Sequence, residues 1–484
     1  MRAFGTDKSL VVLMPDNANK KGVIMKSILR FLVQSGRQLW LVLLGMVLLA
    51  VNPVHAVPSF ARQTGMACAA CHTVFPELTP FGREFKLNGY VISNLKTVGD
   101  ITLNREDILE LNEIPPVSVM FQTSYTNVGK PIPDSGDPTH RAQNSQVLFP
   151  QQLSLFIAGK IAPKIGSFIQ VTYDQASDHF TIDNADIRFA DSLPSYDLVY
   201  GVTLNNSPTV TDPWNTTPVW GFPFSGPADG YPGPVAGTMI DGALGQAVGG
   251  ASAYVWWRHA FYGEAGVYRS SPVAATSPLD SSTGGALDGV APYWRFAYQH
   301  QWDRNSLEVG TYGMYVEQYP GGLVVDSGPT DKYTDVAADL QYQFIGDENI
   351  FSLLSTYIHE DQRLDSSFVN SGTNNDNTLE TFKVTGNYYY KRRYGLSLGY
   401  VNTWGTTDNA LYNTGDVFGS GIGSPDSDYF VAQLSYLPWL NTKFVLQYTA
   451  YNNIGGASSN YDGTGDGRNA SDNNTLYLEG WFNF

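Results

Sequence analysis

The chain is predicted to be all-β: a transmembrane antiparallel β-barrel of about sixteen strands preceded by a small α-helical module. From residue 116 onward, segments of about ten residues alternate apolar and polar positions, and the connections between them alternate short and long. Past residue 56 no apolar run approaches the ~20 residues a membrane-crossing helix needs. A closed barrel is then the structure that can cross a bilayer, because closure leaves no backbone hydrogen-bonding group unpaired. A secreted β-sandwich or propeller, the other all-β reading, has no need of the long and short alternation.

Composition supports a membrane protein over a soluble enzyme. Charged residues make up 15% of the 484-residue chain and aromatics 13%, against about 25% charged in an ordinary globular domain. The formal net charge is −16, which disfavours nucleic acid as a partner and favours cations.

Residues 1–56 read as a leader. From Met25 a basic start (Lys26, Arg30, Arg37) precedes an apolar run from Leu39 to Val51, and Val54-His55-Ala56 is a small-x-small cleavage site. The leader carries seven basic and two acidic side chains, so its removal leaves a formal charge of −21.

The module, residues 57–115, holds both cysteines of the chain in "CAACH": Cys68, Cys71 and, directly after, His72. C-x-x-C-H is the attachment sequence of c-type haem. The thiols add across two vinyl groups, the spacing sets both sulfurs against one porphyrin edge, and the histidine faces the iron as axial ligand. A structural disulfide and a thioredoxin-like redox pair are the competing readings, though no βαβ pattern surrounds the motif. The following "TPFGREFKLNGY" predicts a helix with Thr79 as N-cap, Pro80 in the first helical position, Gly89 as the stop, and Phe81 and Phe85 on one side. About sixty residues make a small core, which one covalent haem and the barrel would complete. A single haem serving both faces of a barrel about 25 Å tall belongs in the lumen, so the module is expected to plug it.

Within the barrel, residues 116–484, sixteen strands are predicted to begin near 117, 151, 165, 180, 195, 248, 261, 291, 305, 332, 349, 379, 394, 428, 443 and 475. Short connections at 162–165, 302–305, 345–349, 391–395 and 438–442 interleave with long ones, the longest at 205–247. Outer-membrane barrels have short periplasmic turns and long outer loops, which places both barrel ends on the periplasmic side and the long loops outside. The last strand alternates Leu476, Leu478, Gly480, Phe482 and Phe484 against Tyr477, Glu479, Trp481 and Asn483, and the chain stops on phenylalanine.

The run "AVPSFARQTGMACAACHTVFPELTPFGREFKLNGY" (56–90), with FARQTG before the motif and P-x-L-x-x-F-G-R-x-F-K after it, resembles the fused monohaem cytochrome c and porin family, the outer-membrane iron(II) oxidases of iron-oxidising bacteria. Over the barrel the resemblance is architectural only. It implies an iron(II):cytochrome c oxidoreductase working by one-electron transfer: extracellular Fe(II) gives an electron to the haem, which passes it to a periplasmic cytochrome c or copper protein. The alternatives are a haem-bearing porin conducting small solutes and a conduit delivering electrons outward.

Candidate site residues follow. Methionine raises haem potential relative to histidine, and Met120 in the first strand is the candidate distal ligand; Met66 lies too close to Cys68 to reach round the ring easily, and Met239 is an alternative should the longest loop dip into the lumen. Arg62, Arg83 and Lys86 are candidate partners for the haem propionates, competing with a reading as ordinary surface charge. No Ser/His/Asp order, zinc spacing or phosphate loop appears. The loops hold many aspartates, among them Asp212, Asp241 and Asp288, without singling out an iron ligand.

Overall fold

The computed structural model describes residues 59–92, 97–98, 111–112, 115–132, 144–175, 178–227, 230–270, 286–320, 328–439, 441–464 and 467–484. The predicted leader lies outside them. Three helices open the described chain: α1 (Ser59–Thr64), α2 (Cys68–Cys71) and α3 (Pro80–Leu87). A two-residue strand pair, Thr97–Val98 with Leu111–Asn112, follows within the segment expected to be helical.

Sixteen strands then form the barrel. The first eight are β1 (Val117–Val128), β2 (Gln146–Ala162), β3 (Ile165–Asp174), β4 (His179–Leu193), β5 (Leu198–Asn205), β6 (Val248–Trp257), β7 (Phe261–Ser270) and β8 (Ala291–Trp302). The second eight are β9 (Asn305–Tyr319), β10 (Asp331–Ile345), β11 (Asn349–Leu364), β12 (Asp376–Tyr390), β13 (Tyr394–Gly405), β14 (Ser427–Trp439), β15 (Thr442–Asn453) and β16 (Thr475–Asn483). Each pairs antiparallel with its sequence neighbours, and β16 pairs with β1 from Thr475↔Val128 to Asn483↔Met120, so the sheet closes. The terminal Phe484 extends the seam, exchanging backbone hydrogen bonds with Val119 at 2.9 and 2.7 Å.

Most predicted strand starts agree within a few residues; β2 differs, starting at Gln146 and running through Pro150. A proline has no N–H for the ladder, and the register between β1 and β2 shifts at this level, from Gln122↔Gln152 to Ser124↔Leu148. The irregularity accommodates it. The strand expected to begin near residue 195 instead follows a short 3₁₀ turn, Pro194–Tyr196, that leads into β5.

Burial follows the alternation with the polarity of a lipid-facing barrel. Phe149, Leu204, Phe296, Leu398 and Leu434 are exposed outward, whereas Arg188, Arg295, Glu308 and Gln343 are fully buried inside. Buried charges are costly unless paired. Arg295 accordingly meets Asp339 at 2.6 Å, Glu308 at 3.3 Å and Asp212 at 3.4 Å.

The lumen holds two inserts. The longest connection, 206–247, was expected outside but folds inward: Val210, Trp214 and Thr217 have no exposed surface. Trp214 Nε1 donates to Gln299 on β8 at 2.8 Å, and the Ile240 amide donates to Asp335 on β10 at 3.1 Å. The second insert is the α1–α3 segment. Arg83 donates to Gln341, Gln343 and Ser306, each at 2.8 Å, and Glu77 accepts from Ser352 at 2.7 Å and Asn387 at 2.6 Å. These partners lie on β9 to β12, so this segment is fastened to the barrel's inner wall near its short-turn end, where Arg392 in the β12–β13 turn donates to the His72 carbonyl at 2.9 Å.

Candidate functional site

The motif is built on one helical turn. α2 is CAAC itself, so Cys68 and Cys71, three apart, share a face. The chain leaves the helix at His72, which bridges back to Leu78 in extended conformation. α3 is docked directly on this turn. The Thr79 hydroxyl accepts from the Gly82 amide at 3.1 Å as predicted for an N-cap and donates to Ala70 O at 2.6 Å, and the Thr79 amide donates to Cys71 O at 2.9 Å. Gly82 is required here: a Cβ at this position would stand 2.1 Å from the Cys71 carbonyl oxygen. At the other end Gly89 has φ +73°, the left-handed conformation of a helix stop.

Cys68, Cys71 and His72 line a cavity of about 460 Å³ between the inserted segment and the barrel, within the ~300–1,000 Å³ range of cofactor sites. Its walls are largely apolar and include the aromatic side chains of Phe60, Phe75, Phe85 and Trp220, with Trp481 from β16. Phe60 and Phe85 meet edge to face at 5.0 Å. Met120 of β1 faces the same cavity, buried to 4% exposure. Gln122, Gln152, Gln170 and Asn184 supply a polar stretch of wall on β1 to β4.

Both cysteines are free thiols. Burial pushes the Cys68 thiol up and Cys71, which also feels Cys68, up to about 11. A thioredoxin-like pair is marked by a lowered thiol pKa, so this environment is the opposite of that reading. Burial holds the His72 imidazole below its ordinary range, partly offset by the main chain of Pro76 and Glu77, and its Nδ1 is enclosed without a hydrogen bond of normal geometry. A neutral imidazole is the form that ligates a metal. Two thiols on one face, a neutral histidine beside them, an aromatic cavity and a thioether in the same cavity are a donor set and a shape that fit c-type haem. Among the described residues no group of three or more His, Cys, Asp or Glu side chains is arranged to hold a bare metal ion.

The candidate propionate partners are placed less simply. Lys86 lines the cavity, but its ammonium donates to Val210 O at 2.7 Å and Asp212 O at 2.8 Å on the inserted loop; burial and nearby Arg188 bring it down to about 7. Arg83 points into the barrel wall, where burial lowers it to about 10, and Arg62 donates to Val117 O at 3.1 Å. Neither arginine lines the cavity, because the wall and the β1 backbone take up their donors. Met66 lines it; Met239 and Met314 pack in a separate apolar cluster with Tyr268 and Tyr293. Phe81, expected beside Phe85, is 44% exposed while Phe85 is buried.

Two contributors escaped the sequence reading. Trp220 belongs to the inserted loop, and no local pattern marks a loop as inward. Trp481 shares one face of the last strand with Tyr477 and Glu479, and its role as cavity wall, with Lys443 Nζ 4.0 Å from its ring centre, depends on closure of the barrel.

No family model matches the chain, and no curated protein matches it. Among solved structures it is similar to the anion-selective porin from Comamonas acidovorans, at 12% identity over 76% of this chain and 98% of that one with a TM-score of 0.45. It is similar to OmpT of Vibrio cholerae, at 10% identity over 76% and 97% with a TM-score of 0.41. A further likeness is to the outer membrane channel DcaP of Acinetobacter baumannii, at 12% identity over 76% and 96% with a TM-score of 0.41. Likenesses this low carry nothing below; the closed barrel rests on its own strand pairing.

Proposed function

We propose that this chain is an outer-membrane electron-transfer protein, with one c-type haem in the barrel lumen, an electron donor on the long-loop side and an acceptor at the short-turn, periplasmic side. The observation that carries the reading is the single cavity lined by Cys68, Cys71 and His72 from the inserted segment and by Met120 from the barrel wall. Bound there, haem supplies a one-electron iron couple. Cys68 and Cys71 would hold it covalently and His72 ligate it, with Met120 the candidate sixth ligand. The aromatic walls limit water, and the polar stretch from Gln122 to Asn184 offers a hydrophilic approach along the barrel wall. Outward-facing apolar strands and alternating loop lengths support the outer membrane as location. Ferrous ion as donor, and a periplasmic cytochrome c or copper protein as acceptor, extend this reading along the resemblance of residues 56–90, and the acidic charge favours a cationic donor.

The test is stopped-flow absorbance of the purified, detergent-solubilised, oxidised protein mixed with ferrous sulfate. Rapid growth of the reduced haem band, absent when His72, Cys68 or Cys71 is replaced, supports the proposal. A haem that dithionite reduces and ferrous ion does not would remove iron oxidation. High open conductance in a planar bilayer would turn the reading to a haem-bearing porin, which the barrel architecture otherwise favours; two lumen inserts fastened to the wall are expected to keep it low.

A further inference from the structure

Strand β4 carries an irregularity that faces the cavity. Its register with β3 steps from Gln170↔Asn184 to Val171↔Ile182, so Asp183 has no opposite residue. Phe180 and Ile182 on one side of the step and Phe189 on the other are exposed outward. Two consecutive side chains, Asp183 and Asn184, therefore project into the lumen, the geometry of a β-bulge. Asn206, just after β5, patches the backbone there: its Oδ1 accepts from the Ala185 amide at 2.7 Å and its Nδ2 donates to Ile182 O at 2.9 Å. Bulges commonly re-aim a side chain next to a functional site.

The re-aimed carboxylate is connected to the cavity. Gln170, on the cavity wall, donates to Asp183 Oδ2 at 3.0 Å and accepts from Asn184, also on that wall, at 3.2 Å. Asp183 lies near the long-loop end of β4, five residues in counting from His179, whereas the cysteine motif is fastened near the short-turn end. Its partners are neutral. Some lumen carboxylates meet cations, Asp186 with Arg188 at 2.7 Å, Asp241 with Lys383 at 2.5 Å and Asp339 with Arg295 at 2.6 Å, while Glu77 and Glu264 are held by hydroxyl and amide donors. Asp183 belongs with the latter, held by Thr181 at 2.7 Å, Gln170, and Gln246 of the inserted loop at 3.4 Å. The other charged group bearing on it is Asp174 at the end of β3, a second negative charge.

We propose that Asp183, with Gln170 and Asn184, is the docking point at which a hydrated divalent cation meets the cavity. This deepens the function proposed above and rests on it for the identity of the cation: ferrous ion, which would lose one electron at this point and become Fe(III), reducing the ferric haem that Cys68, Cys71 and His72 would hold. A dication of this kind keeps most of its water and takes oxygen ligands. One carboxylate held by neutral amide and hydroxyl donors suits a hydrated ion, attracting it without the dense ligand set that would trap the oxidised product. The local negative charge raises the ion's concentration beside this stretch of the cavity wall.

The experiment compares the holoprotein with Asp183→Asn, a near-isosteric change within an already hydrogen-bonded cluster, and with Asp178→Asn, an exposed aspartate next to the same strand, as control. Two readouts are taken: binding of redox-inert Mn(II) by electron paramagnetic resonance, and rates of haem reduction by Fe(II) and by dithionite. The expected result is loss of one Mn(II) site and about a tenfold slower reduction by Fe(II) in Asp183→Asn alone, with dithionite, an anion, as fast as before or faster. Unchanged Mn(II) binding in Asp183→Asn overturns the proposal, as does equal slowing with both reductants. If Mn(II) binds in an Asp183-dependent way but Fe(II) fails to reduce the native haem, the docking point stands and iron oxidation falls. If Fe(II) reduces native protein and variant alike, iron oxidation stands and the docking point falls.

Discussion

Gln122 Nε2 lies 3.8 Å from the sulfur of Met120, two residues away on the inner face of the same strand. The contact holds the thioether in a defined rotamer beside the cavity that also receives Cys68, Cys71 and His72. A ligating sulfur needs that orientation, since a flexible methionine otherwise fills space in several conformations.

Replacing Met120 with leucine is therefore expected to cost less than ~1.5 kcal/mol of stability, as a volume-conserving exchange, while abolishing the spectroscopic signature of sulfur ligation in the oxidised protein. Met120→His is expected to lower the haem potential by a sizeable part of the roughly 0.8 V range that axial ligands command. Redox titration of the purified holoprotein measures both, and a potential unmoved by either change would dismiss Met120 as a ligand.

Gly82→Ala should separate α3 from the cysteine turn. The added carbon meets a carbonyl oxygen at 2.1 Å, backbone that has no flexible end to move aside, so about 1–3 kcal/mol of overpacking is expected. Haem content per polypeptide after expression is the readout, and it should fall while the barrel still migrates as a folded, heat-modifiable band.

Acid should seat the inserted segment more firmly. Glu77, buried against Ser352 and Asn387, is raised to about 7 chiefly by burial. Its contribution is fully present below the unfolded value of about 4.5 and is lost as pH rises through 7, a span worth about 3 kcal/mol. The protonated His259 in the β6–β7 turn donates from Nδ1 to Glu84 at 2.8 Å and from Nε2 to Asp197 at 3.1 Å, and the bond to Glu84 raises it above its ordinary value. Its stabilising pair is complete below about 6.5 and disappears as pH climbs through the raised value. Protease resistance of residues 59–92 is thus expected to decline from pH 4.5 to 8; Glu77→Gln should flatten the lower part of that curve and His259→Gln the upper.

Arg83→Ala removes three donor contacts to Ser306, Gln341 and Gln343 and leaves those buried acceptors unmatched. A loss of roughly 3 kcal/mol in the seating of the segment is expected. Conductance in a planar bilayer should rise in this variant, and an unchanged trace would mean that Arg83 is not what holds the lumen closed.

Period-two alternation and loop length are local properties, and they sufficed to predict sixteen strands from "VSVMFQTSYT" to "TLYLEGWFNF". Cysteine spacing, the Thr79 cap and the Gly89 stop were legible for the same reason, because each depends on neighbours within a few residues. Pro150 inside β2 was not, since tolerance of a proline depends on a register shift between two strands. The inward course of 206–247 was not legible either: its direction is set by Trp214, Thr216 and Ile240 finding partners on β8 and β10, residues scores of positions away. The same holds for the extra residue at Asp183, which looks like part of an ordinary alternating strand until its pairing with β3 is known. Met120 and His72 line one cavity only because β16 closes on β1 and the cysteine turn enters the lumen, a juxtaposition made by long-range packing that no local pattern encodes.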